Sequence, residues 1–598
     1  MAKKRTFSDR RGDGPSMGGR RPRLSYSELE QRRRTVEGGG SGRGRSRPRD
    51  AGRGPTEMHP RPQSARLATD SRPKARRRRG LQGYHLVIGG AVILAAVILI
   101  LVLVFVLPSP IGGLTPVNGS YVNTPNVEVK ASIKRSFKPQ DVTLKVDGKD
   151  VTMNMKVARN TVSSTVPLAD GDHQAMLQIN GGLGGKKTAT WKFKVDSTAP
   201  KLSITSKKVA GTNTPGEVRV TFKGTADKGA VVTVADKPVT VDKNGAFTGD
   251  TVTSRAQSLK VSAKDGAGNV SNNFIVTQKS PAAKGIHVSS YMAASDTDLA
   301  KMIALIERTE LNAVEVDLKD EAGQIGFNID NPLAQQVKGA NDWIKLDACV
   351  DQLRYKNVYS ICRIVCFKDP KLAKGRPDLA VQDKAGGVWG KAQWLDPYSK
   401  EVWDYDLSVA EAAAKAGFNE VQFDYVRFPS DGNTKACLYP HQDARPPAQV
   451  IDDFLSYARE RLAPYNVFVS ADVFGLTASD QGDMNIGQSV MDVANRVDFI
   501  SPMVYPSHYN LGEYQIKVPE ANPGDTVTRS LEDFKKKMKG TQASLRPWLQ
   551  DFSLKIVYTP DMVRRQIDAT EALGIKQWLL WDPDCSYSEA ALKPATKK

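Results

Sequence analysis

The chain has 598 residues, 40% hydrophobic and 25% charged, and carries a net charge of +20. That length admits three or four domains. Residues 1–83 hold 24 Lys/Arg against 8 Asp/Glu, so the excess is local, and the near-neutral remainder gives no electrostatic reason to expect nucleic acid.

The first segment, 1–83, is rich in Arg, Gly, Pro and Ser, as in Gly42-Arg43-Gly44-Arg45-Ser46-Arg47-Pro48-Arg49, with almost no aliphatic periodicity. Such a stretch buries too little apolar surface to offset its chain entropy, which predicts a disordered basic tail. Its charge would attract anionic headgroups or nucleic acid, but a tail that only sets membrane orientation, with no specific partner, is the favoured reading. Residues 84–108 predict a transmembrane helix, because Leu86 to Leu107 contain no charged residue. At about 1.5 Å per residue this run reaches about 33 Å, enough to cross a hydrocarbon core of about 30 Å. Arg76–Arg79 precede it and no Lys or Arg follows until Lys130. The positive-inside rule then places the N-terminus in the cytoplasm and everything after Pro108 outside. The expectation is a single-pass protein of the cell membrane, with the bilayer as one partner.

Residues 111–280 alternate in short runs such as Val142-Thr143-Leu144-Lys145-Val146, punctuated by Asp147-Gly148, Asp170-Gly171 and Asp265-Gly266. This is the pattern of β-sandwiches with tight turns. A joint near Val195–Pro200 divides them into modules at 111–197 and 198–280. Ala263-Lys264-Asp265-Gly266-Ala267-Gly268-Asn269 resembles the closing phrase of bacterial immunoglobulin-like repeats, and the first module resembles that superfamily more loosely. Trp191 is the one Trp in this region and reads as core, which favours a spacer over a carbohydrate-binding role.

From 281 to 598 the pattern becomes strand, loop, helix, repeated eight times, which predicts an α/β TIM barrel. A doubly wound sheet is the competing fold, but the glycine-rich turn after the first strand is missing. All five cysteines lie here in odd number and without metal spacing, and read as buried thiols. Chemistry in such barrels sits at the C-terminal ends of the strands. Those ends carry His287 and Tyr291 on strand one, Asp317, Lys319 and Asp320 on strand two, and Arg363 on strand three. Strand four ends in Asp424 and Arg427, strand five in Asp472, strand six in Tyr505, strand seven in Gln550-Asp551, and strand eight in Trp581 and Asp582. Alternation turns Asp424 and Asp472 inward on adjacent strands, which suits a general acid paired with a nucleophile or base. Each Asp alone could equally cap a helix or pair with an Arg. Lys319 could do no more than neutralise Asp317 and its same-face neighbour Glu315. Trp389 and Trp394 fall in the long loop after strand three, and flat aromatic faces beside acidic groups suit sugar rings.

Leu395-Asp396-Pro397-Tyr398-Ser399-Lys400-Glu401-Val402-Trp403 followed by Glu420-Val421-Gln422-Phe423-Asp424-Tyr425-Val426-Arg427-Phe428-Pro429-Ser430-Asp431-Gly432 resembles a glycosyl-hydrolase-like barrel family first catalogued as a domain of unknown function. Lys284-Gly285-Ile286-His287-Val288 is similar to it as well, and the resemblance spans about 284–590. It implies a bacterial cell-envelope protein distantly similar to α-amylase-like and α-galactosidase-like hydrolases. In those groups an Asp ending strand four is the nucleophile, the place of Asp424. The acid is a Glu ending strand five in one group, where Asp472 stands, and an Asp on strand six in the other, where Tyr505 stands.

The expected function is hydrolysis of an extracellular polysaccharide or envelope glycan without a cofactor or metal. Asp424 would be the nucleophile and Asp472 the acid/base. His287, Tyr291, Asp317, Lys319, Arg363, Trp394, Arg427, Tyr505, Trp581 and Asp582 would hold the substrate. Asp317, Asp320 and Asp582 are the alternative acids. The competing reading is a glycan-binding envelope protein that keeps the cleft without the catalysis.

Overall fold

In a computed structural model, the residues described are 109–595, apart from 135, 181–184 and 392. The basic tail and the expected membrane-spanning helix lie outside the described residues. Within those residues no helix is long and apolar enough to cross a membrane.

The described chain divides into two compact units, one ending at Val195 and the other running from Asp196 through the barrel, with Tyr121–Thr124 belonging to the second. In the first unit the strands Ile111–Thr115, Asn126–Ile133, Thr161–Pro167 and Lys156–Ala158 form one antiparallel sheet. Val142–Val146, Gly171–Ile179 and Lys187–Val195 belong to a second antiparallel sheet. Alternate residues of these strands (Val127, Val129, Leu144, Leu177 and Trp191) are buried, so each sheet turns one apolar face inward.

The second unit opens with a similar pair of sheets. Leu202–Gly211, Glu217–Ala226 and Ala246–Ser254 make one, and Lys237–Val239, Val231–Val234, Leu259–Lys264 and Val270–Ile275 the other. Val218, Val220, Phe222, Val232, Phe247 and Val261 share one core between them.

The rest of that unit is a closed barrel of parallel strands. These are β1 (Lys284–Val288), β2 (Ala313–Lys319), β3 (Tyr359–Val365), β4 (Glu420–Asp424), β5 (Phe468–Phe474), β6 (Phe499–Met503), β7 (Trp548–Gln550) and β8 (Trp578–Trp581). They neighbour one another in sequence order, β1 pairs with β8, and β5 pairs with β6, which closes the ring. Residues on both faces of β2, β3 and β4 are buried, because helices cover the outside and side chains fill the inside. The covering helices include Asp296–Arg308, Lys400–Ala416, Pro447–Leu462 and Pro560–Ala572. Lys400–Ala416 ends where Gly417 adopts φ 103°, the left-handed C-cap that only glycine takes at little cost, and the chain turns from there into β4. All five cysteines are free and buried.

The barrel interior is polar at its lower level. Glu420 on β4 accepts from both terminal nitrogens of Arg546 and from the Tyr359 hydroxyl at 2.9 Å, and Gln422 donates to Ser501 at 3.0 Å. This paired layer closes the floor beneath the strand ends.

Candidate active site

The strand-four end is built by strain and by charge. Asp424 closes β4, and the next residue, Tyr425, sits at φ 51°, a left-handed conformation that costs a non-glycine residue roughly 1–3 kcal/mol. The Tyr425 amide donates to Asp424 Oδ1 at 2.6 Å, and this turn aims the carboxyl across the mouth. Arg363, from β3, donates to Asp424 Oδ2 through Nε at 3.0 Å and through Nη2 at 2.6 Å. Its Nη1 donates to Asp317 Oδ1 at 2.5 Å. One guanidinium therefore links the ends of β2 and β4 through charge-assisted bonds.

Asp472 lies beside Asp424. The last aligned residues of β4 and β5 are Gln422 with Ser470 and Phe423 with Ala471, so the two Asp follow at the same level. Adjacent strands are about 4.8 Å apart. Asp472 is 2% exposed and accepts from the Trp548 indole at 2.8 Å. Burial, with the charge of Asp424 added, pushes its carboxyl well above the ordinary range. Two neighbouring carboxyls thus occupy opposite surroundings, one in an ion pair and the other against an indole.

Around them stand His287, Glu315, Tyr505 and Trp581. The His287 ring stacks on Trp581 at 4.0 Å, with Nδ1 2.6 Å from Glu315 Oε2 and Nε2 3.6 Å from Asp317 Oδ2. Glu315 is wholly buried and is pushed up to about 8 by that burial; Arg363 opposes the shift and Asp424 adds to it. Asp317 is pushed up to about 6 for the same first reason. Arg363 lies 5.0 Å over the Trp581 ring, and Trp548 meets Trp581 edge-on. Tyr505 packs edge-on against Phe552 and His508, and burial beside Asp472 and Asp424 raises its hydroxyl well above its usual range.

Among the described residues, His287, Glu315 and Asp317 are the one group whose ligand atoms all lie within 4.8 Å of one another, as a metal site would need. These donors are engaged with each other and with Arg363, which supplies the local positive charge. As they stand, Asp317 is ion-paired with Arg363, and Glu315 shares a short hydrogen bond with His287.

Several expected residues are elsewhere. Lys319 is fully buried, 3.0 Å from Asp369 and 3.1 Å from Asp406, in the helix layer. The pairing of β2 with β3 slips between Asp317 and Lys319, and this bulge turns Lys319 outward while Asp317 stays inward. Lys319 is therefore no substrate contact, and it neutralises Asp369 and Asp406 rather than Asp317 and Glu315. Trp394 is 1% exposed beneath the Arg427 guanidinium at 4.7 Å, so it offers no face to a ligand. Trp389 is packed too, its indole donating to the Asn433 carbonyl at 3.1 Å. Arg427 is buried and donates to the Phe428 carbonyl at 2.9 Å and to Ser430 at 3.2 Å, which makes it a brace for the strand-four loop. Asp582 is buried and accepts from the amides of Asp584 and Ser586, and Asp320 likewise accepts from those of Ala322 and Gln324, so each caps a turn. Tyr291 is 56% exposed just past β1. Trp548, Phe552 and Glu321 also reach the mouth, and no pattern in the sequence singled them out.

No curated protein matches the chain. Among solved structures, it aligns with a hypothetical protein from Ruminiclostridium thermocellum ATCC 27405 at 36% identity, covering 31% of this chain and 97% of that one, with a TM-score of 0.29. It aligns with the glycoside hydrolase domain of PgaB (BpsB) from Bordetella bronchiseptica at 15% identity, covering 52% and 99%, with a TM-score of 0.40. The α-galactosidase TtGalA from Thermus thermophilus aligns at 11% identity over 75% and 95%, with a TM-score of 0.33. Residues 285–587, just over half of the 598, match the family described as "Putative glycosyl hydrolase domain", and the chain belongs to that family.

Proposed function

We propose that the protein is a membrane-anchored glycoside hydrolase that cleaves a glycan of the cell envelope or another extracellular polysaccharide, with Asp424 as nucleophile or base and Asp472 as general acid. The observation that carries this reading is the contrast between the two carboxyls. Asp424 is forked by Arg363, whereas burial and the neighbouring charge of Asp424 favour the protonated form of Asp472 and outweigh the Trp548 indole that donates to it. A pair whose surroundings differ in this way divides into an acid that protonates the leaving oxygen and a carboxylate that attacks or activates water. Arg363 holds Asp424 in place and the Trp548 indole holds Asp472, with the Tyr505 hydroxyl buried near both.

The test is a glycan-hydrolysis screen of the full-length protein beside Asp424→Asn and Asp472→Asn. Either variant should lose about 10³-fold or more in turnover, since such residues act as a unit. For Asp472→Asn, substrates with a good leaving group should recover more activity than natural glycosides, because they need less protonation. Full turnover in Asp424→Asn would sink the assignment, and binding without turnover in wild type would favour the glycan-binding reading.

The anchor rests on the uncharged run 86–107 and the basic residues before it. Protease added to intact cells should remove the barrel and spare the tail. A barrel cut only after the membrane is lysed would overturn that orientation.

A further inference from the structure

Two features of the strand-one and strand-two loops are unused by the chemistry above. Tyr291 follows β1 at the C-terminal face, and it is 56% exposed with its ring 4.9 Å from Trp343 at an interplanar angle of 30°. The barrel's other strongly exposed aromatic among the described residues, Tyr355, ends helix Leu346–Tyr355 at the opposite face. Trp343, from the loop after β2, braces the Tyr291 ring, so an apolar plane faces solvent without a floppy side chain. Ser290, one residue earlier, donates to the Asp317 carbonyl at 2.8 Å, which fixes this plane beside the strand-two end.

Glu321 is the second feature. It stands in the turn Asp320–Gly323, where the Gly323 amide donates to the Asp320 carbonyl at 3.0 Å and Asp320 Oδ1 accepts from Ala322 at 3.0 Å and Gln324 at 2.9 Å. Gly323 has φ 75°, and a Cβ there would come within 2.1 Å of Asp369, so the turn admits only glycine. This rigid turn presents a carboxylate that is 39% exposed, 4.0 Å from Arg363 Nη1, on the solvent side of the buried cluster.

We propose that Tyr291, backed by Trp343, and Glu321 form an outer subsite that binds a sugar ring next to the one being cleaved. The inference rests on the hydrolase reading and adds to it that the substrate is a chain of sugars lying across the β1–β2 side of the mouth. A pyranose presents an apolar C–H face that stacks on an aromatic plane and edge hydroxyls that donate to a carboxylate. The two groups supply one partner for each, and Arg363 ties Glu321 to Asp424.

The experiment uses full-length protein carrying Asp424→Asn, probed on an array of mono- and oligosaccharides from bacterial envelope glycans, with Tyr291→Ala, Tyr291→Phe and Glu321→Gln added singly. In parallel, each substitution in the active protein is assayed for kcat/KM as a function of chain length on whichever glycan the wild type cleaves. Oligosaccharides should bind better than the monosaccharide. Tyr291→Ala and Glu321→Gln should each weaken oligosaccharide binding by about 10-fold, and Tyr291→Phe should retain it. The gain in kcat/KM with chain length should shrink in the same two variants. Oligosaccharide binding unchanged in Tyr291→Ala, or hydrolysis independent of chain length in wild type, overturns the subsite and leaves the hydrolase standing. Neither binding nor hydrolysis of any glycan overturns both.

Discussion

Glu315 is the residue whose surroundings say most about the interior. It lies on β2 with no exposure; Oε2 faces His287, and Oε1 accepts no hydrogen bond among the described residues and lies 3.9 Å from Arg363 Nε. An unbonded carboxyl oxygen in such a place is costly when charged and tolerable when protonated. Its folded pKa of about 8 stands above the ordinary 4.5. The native state therefore holds this proton longer than the unfolded chain does. The stabilisation is fully present below about pH 4.5 and is lost as pH rises through about 8. Glu315→Gln keeps the shape and an oxygen acceptor for His287 and removes the ionisation. Melting curves across that window should show the variant losing less stability than wild type on going alkaline, by a few kcal/mol, since each pKa unit is worth about 1.4 kcal/mol. Equal slopes for the two proteins would mean that Glu315 is not the group that titrates.

Elements show what was legible and what was not. The eight strands followed from short apolar runs, the signature of parallel strands buried on both faces, and the inward Asp424 and Asp472 from the alternation of side chains along a regularly paired strand. Lys319 broke the rule at one bulge: alternation put it with Asp317, and an extra residue in the pairing with β3 turned it to the helix layer. Nothing in Ala313–Lys319 marks that slip, since it is set by how β2 meets its neighbour. Loops failed differently. Trp394 sits among aromatics and charges in sequence, yet its ring is sealed under Arg427, because a long loop can fold its large side chains beneath itself. The converse holds for Trp548, which bonds Asp472 from two strands away, a relation that no local pattern encodes. Glu321 was equally invisible, since its position depends on a turn whose need for glycine shows only against Asp369.

At the scale of the whole second unit, the β module before the barrel is more than an extension of the chain. Lys207, on its first strand, donates to Asp498 Oδ1 at 2.5 Å, and Asp498 also receives Arg459. Arg459 donates in turn to the Phe274 carbonyl in the module's last strand. Asn466 accepts from the Thr277 amide at 2.9 Å and donates to the Arg255 carbonyl at 2.7 Å. Burial alone would raise Asp498, yet Arg459 and Lys207 outweigh it and hold the carboxyl below its ordinary range. Asp498 precedes β6, and Arg459 and Asn466 lie between β4 and β5, so these contacts gather at the N-terminal ends of the strands and leave the mouth open. The eight-unit pattern of 281–598 by itself suggests an autonomous barrel. Cutting there removes Lys207 and the Phe274 carbonyl from a buried ionic group, and breaking such a group by taking one partner costs about 3–5 kcal/mol. A fragment from 196 should therefore unfold in one cooperative transition, and a fragment from 281 should melt several degrees lower. Asp498→Asn should lower the melting point of the longer fragment by more than that of the shorter one, because only the longer one carries both cations. Equal melting points for the two fragments would show that the module lends the barrel no stability.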